Sequence, residues 1–254
     1  MGKKKKGKDI MREVFEDLSL RFFLNLPDEE LKHWGRLFFQ LEQANWFYSD
    51  HLLNKNKKLP ELSLKEFCLY MFKYCSILNK HIAQFDVHYK KFSKYYSSIP
   101  VCGTILIAET WKHMLLVQTN SKSKPWSFPK GKIDQNETKL QCALREAYEE
   151  VGIDLSTVIK DKGKLKSMTH NINGRNFCMF IIPNVPYNYP FRPKSGYEIL
   201  SIKWFELKTI FSTDLKQNFY LLHSFMSKFK QWFRKNCPKK YLNQLKKAKI
   251  KPIA

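Results

Sequence analysis

Glu146, Glu149 and Glu150 stand at i, i+3 and i+4 in a run from Thr138 to Val151 that holds neither Gly nor Pro. On a helix that spacing gathers three carboxylates on one stripe. Three like charges so close repel, and a cation among them removes the penalty. A hard divalent ion, Mg2+ or Mn2+, takes oxygen ligands, keeps several waters and shares its remaining positions with phosphate oxygens. The competing expectation is a solvated acidic face, the commoner fate of a Glu-rich helix.

The helix that would carry them is well marked. Leu140, Leu144, Ala147 and Val151 recur at helical spacing as a face to bury. Gly152 follows, where a left-handed C-terminal cap belongs. Upstream lie Gly131 and Glu137, and Arg145 precedes the first glutamate. Residues 131–153, GKIDQNETKLQCALREAYEEVGI, thus read Gly, five residues, Glu, seven residues, Arg-Glu-x-x-Glu-Glu-x-Gly and an aliphatic. This resembles the Nudix pattern, with Ala147 smaller than the aliphatic often found there. The resemblance implies that Glu146, Glu149 and Glu150 are metal ligands of a diphosphate hydrolase. It also implies that Gly131, Glu137, Arg145 and Gly152 shape the loop and helix, Arg145 and Glu137 by ion pairing. Lys130 and Lys132 flank Gly131, and the expectation is that they contact phosphates by charge and through loop amides.

Composition bounds the partners. The formal net charge of +22 on 254 residues points to a polyanion. Five lysines precede the first acid, and eight basic residues with no acid run from Arg234 to the end. The six cysteines form no CxxC pair and are expected as reduced thiols in a reducing compartment, neither a zinc site nor a disulfide framework. No apolar stretch approaches the roughly 20 residues of a membrane span, and the lysine-rich N-terminus has no signal-peptide core after it. A hydrophobic content of 43% suffices for real cores.

The pattern changes near residue 97. Helical spacing runs through Val14–Leu24, Glu29–Leu53 and Leu64–Leu78, punctuated by Pro27 and Pro60. Strand patterns follow at Val101–Ala108, His113–Gln118, Asn176–Pro183 and Ile199–Phe205, with a last helix about Leu215–Lys235. The expected fold is α+β: an all-α N-terminal domain, then an α/β/α sandwich with a C-terminal helix. The expected divisions are a basic tail 1–8, a helical domain 9–94, a hinge 95–100, a catalytic domain 101–236 and a basic tail 237–254.

Two further segments narrow the resemblance. Trp126-Ser127-Phe128-Pro129-Lys130-Gly131-Lys132 resembles the W-x-F-P-[KR]-G-K signature of the catalytic subunit of the eukaryotic mRNA-decapping enzyme, with Ser127 where that family usually has glycine. Phe38 to Asp50, FFQLEQANWFYSD, is similar to its N-terminal F-Q-[IL]-E-x-A-x-W-F-Y-x-D element. The similarity covers roughly residues 15–235. It implies metal-dependent hydrolysis of the 5′ cap, releasing 7-methyl-GDP and 5′-monophosphate RNA. The family places its general base ahead of a strand ending in Trp-Phe. Here Glu198 precedes Trp204-Phe205, and Glu206 is the nearby alternative. On a helix Trp46 and Asp50 lie one turn apart, opposite the Leu37, Leu41, Ala44, Tyr48, Leu52 stripe. An indole can stack on cationic 7-methylguanine and a carboxylate can accept its N–H groups; the family uses these positions for cap recognition.

In the last helix Phe219, Leu222, Met226, Phe229 and Phe233 form one stripe, and the other side is basic. The family's RNA-binding helix falls here, which makes Lys216, Lys228, Lys230, Arg234 and Lys235 candidates for the RNA body. The resemblance further implies a small activator subunit bound by the N-terminal helices, about Leu18–Phe23. It implies a monomeric catalytic chain within that complex, closure of the two domains about residues 95–100, and a cytoplasmic location in mRNA-decay granules. The alternatives are a hydrolase of free dinucleoside polyphosphates, which would need neither the helical domain nor a basic helix, and a cap- or RNA-binding protein without catalysis, which would not need intact glutamates.

Overall fold

A computed structural model describes residues 2–53, 55–120, 124–194, 198–212, 219 and 221–242, with side chains from Ile10 onward. The chain separates into two compact units, 1–97 and 98–254.

The first unit is helical: α1 (Gly2–Phe22), α2 (Asp28–Lys32), α3 (Trp34–Phe47), α4 (Leu64–Tyr74), α5 (Ser76–Asn79) and α6 (Phe85–Ser98). Its core is aromatic. Phe15, Phe38, Phe67, Phe72 and Phe85 are buried with Leu18, Leu41 and Tyr48. Each such ring removed from water contributes about 1.5–3 kcal/mol, which lets short helices cohere. Trp34 stacks on His88, ring centres 3.9 Å apart, fastening α3 to α6.

Several sequence expectations are corrected here. The helix expected over Glu29–Leu53 breaks at His33, whose extended backbone (φ −94°, ψ 93°) ends α2 while its side chain accepts from the Arg36 amide to cap α3. From Tyr48 to Leu53 the helix widens into a π-helix. The helix expected over Leu64–Leu78 stops at Tyr74, because Cys75 is extended (ψ 114°). The expected basic tail 1–8 is, from Gly2, the start of α1. The expected hinge 95–100 is helical through Ser98, leaving only Ile99 and Pro100 before the first strand. Proline explains the stop, since it restricts the residue before it to extended backbone.

The second unit is built on one mixed sheet of β1 (Val101–Ala108), β2 (His113–Thr119), β3 (Trp126–Ser127), β4 (Lys130–Lys132), β5 (Ser167–Ile172), β6 (Arg175–Val185) and β7 (Ile199–Glu206). β1 is central and buried at all eight positions. It pairs antiparallel with β2 and β4 and parallel with β6. β7 lies on β2 and β5 on β6. Alternate residues of β1 face opposite layers. Leu106 joins Ala147 and Val151 of α7 (Lys139–Val151), whereas Ile105 and Ile107 join Phe225, Phe229 and Phe233 of α9 (Leu222–Asn236). Short α8 (Leu207–Ser212) packs Ile210 into the latter layer. This is the expected α/β/α sandwich. The boundary expected at residue 236 falls too early: Cys237 is buried, and Tyr241 and Leu242 pack on the same core. Among the described residues no helix is long and apolar enough to cross a membrane.

Candidate active site

The glutamate helix is capped at both ends. Thr138 accepts from the Gln141 amide while the Gln141 side chain accepts from the Thr138 amide, a reciprocal box that fixes the first turn. Gly152 closes the helix at φ 76°, a left-handed conformation that costs glycine nothing. The buried face is broader than the expected leucine stripe. Leu140 and Leu144 stay half-buried, and Cys142, Ala143, Glu146 and Glu150 are buried instead.

Glu146 and Glu150 therefore face inward toward β4, at 8% and 1% exposure. Pairing with β1 sets Gly103 opposite Lys130 and Cys102 opposite Gly131. Glu150 accepts the Lys130 amide at 3.1 Å. Gly131 lies directly against Glu146: a Cβ there would fall 1.9 Å from a carboxylate oxygen. This is why the pattern demands glycine at that point.

Arg145 is a cation bonded among the carboxylates in this structure. Its Nη1 donates to Glu146 at 2.7 Å and to Glu149 at 3.1 Å. Nε and Nη2 donate in parallel to the two oxygens of Glu137 at 2.9 and 3.0 Å, and Nη2 also donates to the Lys132 carbonyl at 3.0 Å. One planar fork thus ties loop, strand and helix together, which a lysine could not do. These bonds hold the Glu137 carboxyl below its ordinary range.

Burial dominates the electrostatics of the inner pair. It pushes Glu146 up to about 7 and Glu150 up to about 8, and the charge of Glu198 adds to both. Glu198, at the head of β7, therefore shares the electrostatic field of the helix carboxylates, while its carbonyl accepts the Asn120 amide at 2.8 Å. Glu206 lies at the far end of that strand, opposite His113, and acts on that imidazole instead. Lys132 is pulled down to about 8 by burial and by the charge of Arg175. Arg175, at the start of β6, was not anticipated from sequence; a lone arginine carries no motif.

Among the described residues no three His, Cys, Asp or Glu side chains converge into a ready metal cage. In this structure Glu146 and Glu149 are both bonded to Arg145. The donor set nevertheless suits a hard dication: all oxygen, two of the carboxylates buried and crowded by a third.

Trp46 is 56% exposed, unusual for an indole. Asp50, half-buried, is raised by that burial. The π-helix begins between them, and such widened turns are frequent at functional sites. Among the described residues the Ser127 hydroxyl is one of the few buried side-chain polar atoms without a hydrogen-bond partner. The basic face of α9 divides. Lys228 donates to the Thr169 carbonyl at 3.0 Å and Lys230 to the Phe211 carbonyl at 3.0 Å, whereas Arg234 and Lys235 are exposed. Lys216 lies outside the described residues.

The fold and the carboxylate helix define the class. The Nudix domain model matches residues 99–233, and the chain belongs to that family. The Dcp2, box A domain model matches residues 13–95. The chain is 38% identical over 235 residues to the mRNA-decapping enzyme subunit 2 of Saccharomyces cerevisiae, covering 92% of this chain and 24% of that protein. It is 37% identical over 229 residues to the mRNA decapping complex subunit 2 of Schizosaccharomyces pombe, covering 88% and 30%. The chain thus spans about a quarter to a third of the length of these relatives. An Ap4A hydrolase structure from Caenorhabditis elegans aligns with 54% of this chain and 98% of its own at 20% identity and a TM-score of 0.43.

Proposed function

We propose that this chain hydrolyses the 5′ cap of mRNA, yielding 7-methyl-GDP and 5′-monophosphate RNA. The observation that carries the reading is the joining, in one chain, of a buried Nudix carboxylate helix to a box A unit that leaves Trp46 exposed, one helical turn before Asp50 in the sequence. A hydrolase of free dinucleotides has no use for the second part.

Glu146, Glu149 and Glu150 would hold Mg2+ or Mn2+, with Arg145 yielding part of its hold on the first two. When bound, such an ion neutralises phosphoryl oxygens and acidifies a bound water. The chain's own groups do the rest. Lys130 and Lys132 receive phosphate oxygens and Glu198 accepts the proton of the attacking water. Trp46 stacks on the methylated base while Asp50 accepts its N–H groups. Arg234 and Lys235 attract the RNA body, with Lys228 and Lys230 contributing once released from their carbonyls. Cleavage is fastest when the helical unit closes over the Nudix unit. The helical unit also receives a small activator protein, and the enzyme acts in the cytoplasm, in mRNA-decay granules.

The deciding assay offers cap-labelled long RNA and free cap dinucleotide, each with Mg2+ or Mn2+. Release of 7-methyl-GDP from the RNA, abolished in Glu150→Gln, supports the reading. Preference for the dinucleotide overturns it, as does retention of RNA without any product.

A further inference from the structure

Three thiols meet between α7 and the sheet, beside β4. Cys102 of β1, Cys142 of α7 and Cys178 of β6 form one buried cluster with Ala143, edged by Ile133 and Phe180. Cys102 and Cys178 are register partners on adjacent parallel strands. Neighbouring strands run about 4.8 Å apart, inside the Cα span of roughly 4.4–6.8 Å that a disulfide bridges. The Cys102 side chain is fully buried and lies in one cluster with both other cysteines. The third thiol, Cys142, faces the Gly131 and Lys132 carbonyls at 3.6 and 3.4 Å. The cluster therefore touches the strand against which Glu146 and Glu150 are seated.

We propose that Cys102 and Cys178 form a reversible oxidation site, closed to a disulfide by a two-electron oxidant of the hydroperoxide class, and that closure slows the hydrolase. The Cys178 thiolate attacks the peroxide oxygen. The O–O bond breaks, the leaving oxygen takes up a proton, and water or an alcohol departs, leaving a sulfenic acid. The Cys102 thiol then attacks the oxidised sulfur, the S–O bond breaks, and a second water leaves with both remaining protons. Two thiols and one peroxide are consumed, and both electrons go to the peroxide.

Cys178 is the entry point. It is 4% exposed where Cys102 is fully buried, and it pairs with Thr169 on β5, an edge strand. Local opening of that edge uncovers it. Its thiolate is favoured by the neighbouring Cys102 thiol and by the charge of Lys139, and opposed by burial. Closure shortens the sulfur contact to about 2.05 Å at the point where Cys102 stands opposite Gly131. Gly131 has no slack against Glu146, so the strain reaches the carboxylates.

The test uses the whole chain. It is treated with hydrogen peroxide, unfolded, alkylated and mapped by peptide mass. The expected result is one linked pair, Cys102 with Cys178, lighter by two hydrogens, with the other four cysteines alkylated. Cleavage of capped RNA should fall about ten- to a hundred-fold, the scale of a small misplacement at a reacting centre, and return with dithiothreitol. Cys178→Ala and Cys102→Ala should keep basal turnover and resist peroxide. Free Cys102 and Cys178 after inactivation overturn the proposal, as do a link to Cys142, sulfinic acid at Cys178, or a link that leaves turnover unchanged. The cross-link is read by mass in the wild-type chain, independently of the substrate assigned above and of how the variants fold; the loss of turnover rests on that assignment.

Discussion

Metal binding should expel protons, and the number expelled follows from how the inner carboxylates are buried. Glu146 and Glu150 sit at about 7 and about 8 without metal. From these values the pair holds about 1.7 protons at pH 6.5 and about 0.3 at pH 8.5. A dication seated on both must displace them, so apparent Mg2+ or Mn2+ affinity should rise roughly fifty-fold per pH unit near pH 6.5. Calorimetric titration in two buffers of different ionisation enthalpy counts the protons. Glu150→Gln should remove about one of them. The same pair sets the stability of the metal-free protein. Both values are raised, so between the ordinary carboxylate range and about 8 the folded state holds more protons than the unfolded state. Stability is then lost as pH rises through that window, by several kcal/mol on the order of 1.4 per unit of displacement. The metal-free melting temperature should fall between pH 5 and 8, and Mg2+ should restore it. Release of fewer than about 0.3 protons at pH 6.5 would refute the reasoning, as would a melting temperature that climbs over the same range without metal.

Gly131→Ala should cut turnover by about a hundred-fold or more with a smaller change in substrate affinity, because the new Cβ meets the Glu146 carboxylate at 1.9 Å; steady-state kcat and KM decide it. Trp46→Ala should leave the melting temperature within about a degree, the indole being 56% exposed, while weakening binding of a 7-methylguanine nucleotide by roughly 1–2 kcal/mol. Fluorescence titration against unmethylated guanine nucleotide checks this. Arg234→Ala with Lys235→Ala should weaken RNA binding and flatten its salt dependence by up to about two in slope, without loss of stability. Lys230→Ala should instead lower stability, since its ammonium is bonded to the Phe211 carbonyl and lies over the Phe211 ring at 5.4 Å.

The glutamate helix was legible because its rules are local. Thr138, Gln141 and Gly152 cap it from within, and its carboxylate spacing is a matter of helical phase. What burial would do to those carboxylates was not legible. Glu146 and Glu150 are inward because β4 pairs with β1 in one register, and nothing in residues 138–151 states that register. The same holds for Glu42, which sits in a polar-looking run yet is 5% exposed, accepts from the Tyr96 hydroxyl and is raised to about 7 by burial. β5 has no clear apolar alternation in the sequence, although Asn173 and Gly174, both at positive φ, are a hairpin signal. The π-helix at Tyr48–Leu53 breaks the phase from which Asp50 was placed, and no composition rule marks such a widening. The basic residues of α9 share one face by helical phase, but tertiary carbonyls, invisible in sequence, sort Lys228 and Lys230 from Arg234 and Lys235.

β1 carries a consequence for how the chain is made. Its parallel partner β6 sets Val101 beside Phe177, contacts separated in sequence by nearly half of the second unit. The helical unit relies on neighbours closer in sequence and precedes it. Synthesis from the N-terminus therefore delivers first a helical body with its own core, followed by an apolar strand with no partner on that side until β6 emerges. Non-local parallel pairing is slow, and an unpaired strand of this kind invites association with other chains. In a pulse-labelling experiment during translation, amides of the helical unit should gain protection early and those of β1 only after residue 185 has cleared the ribosome.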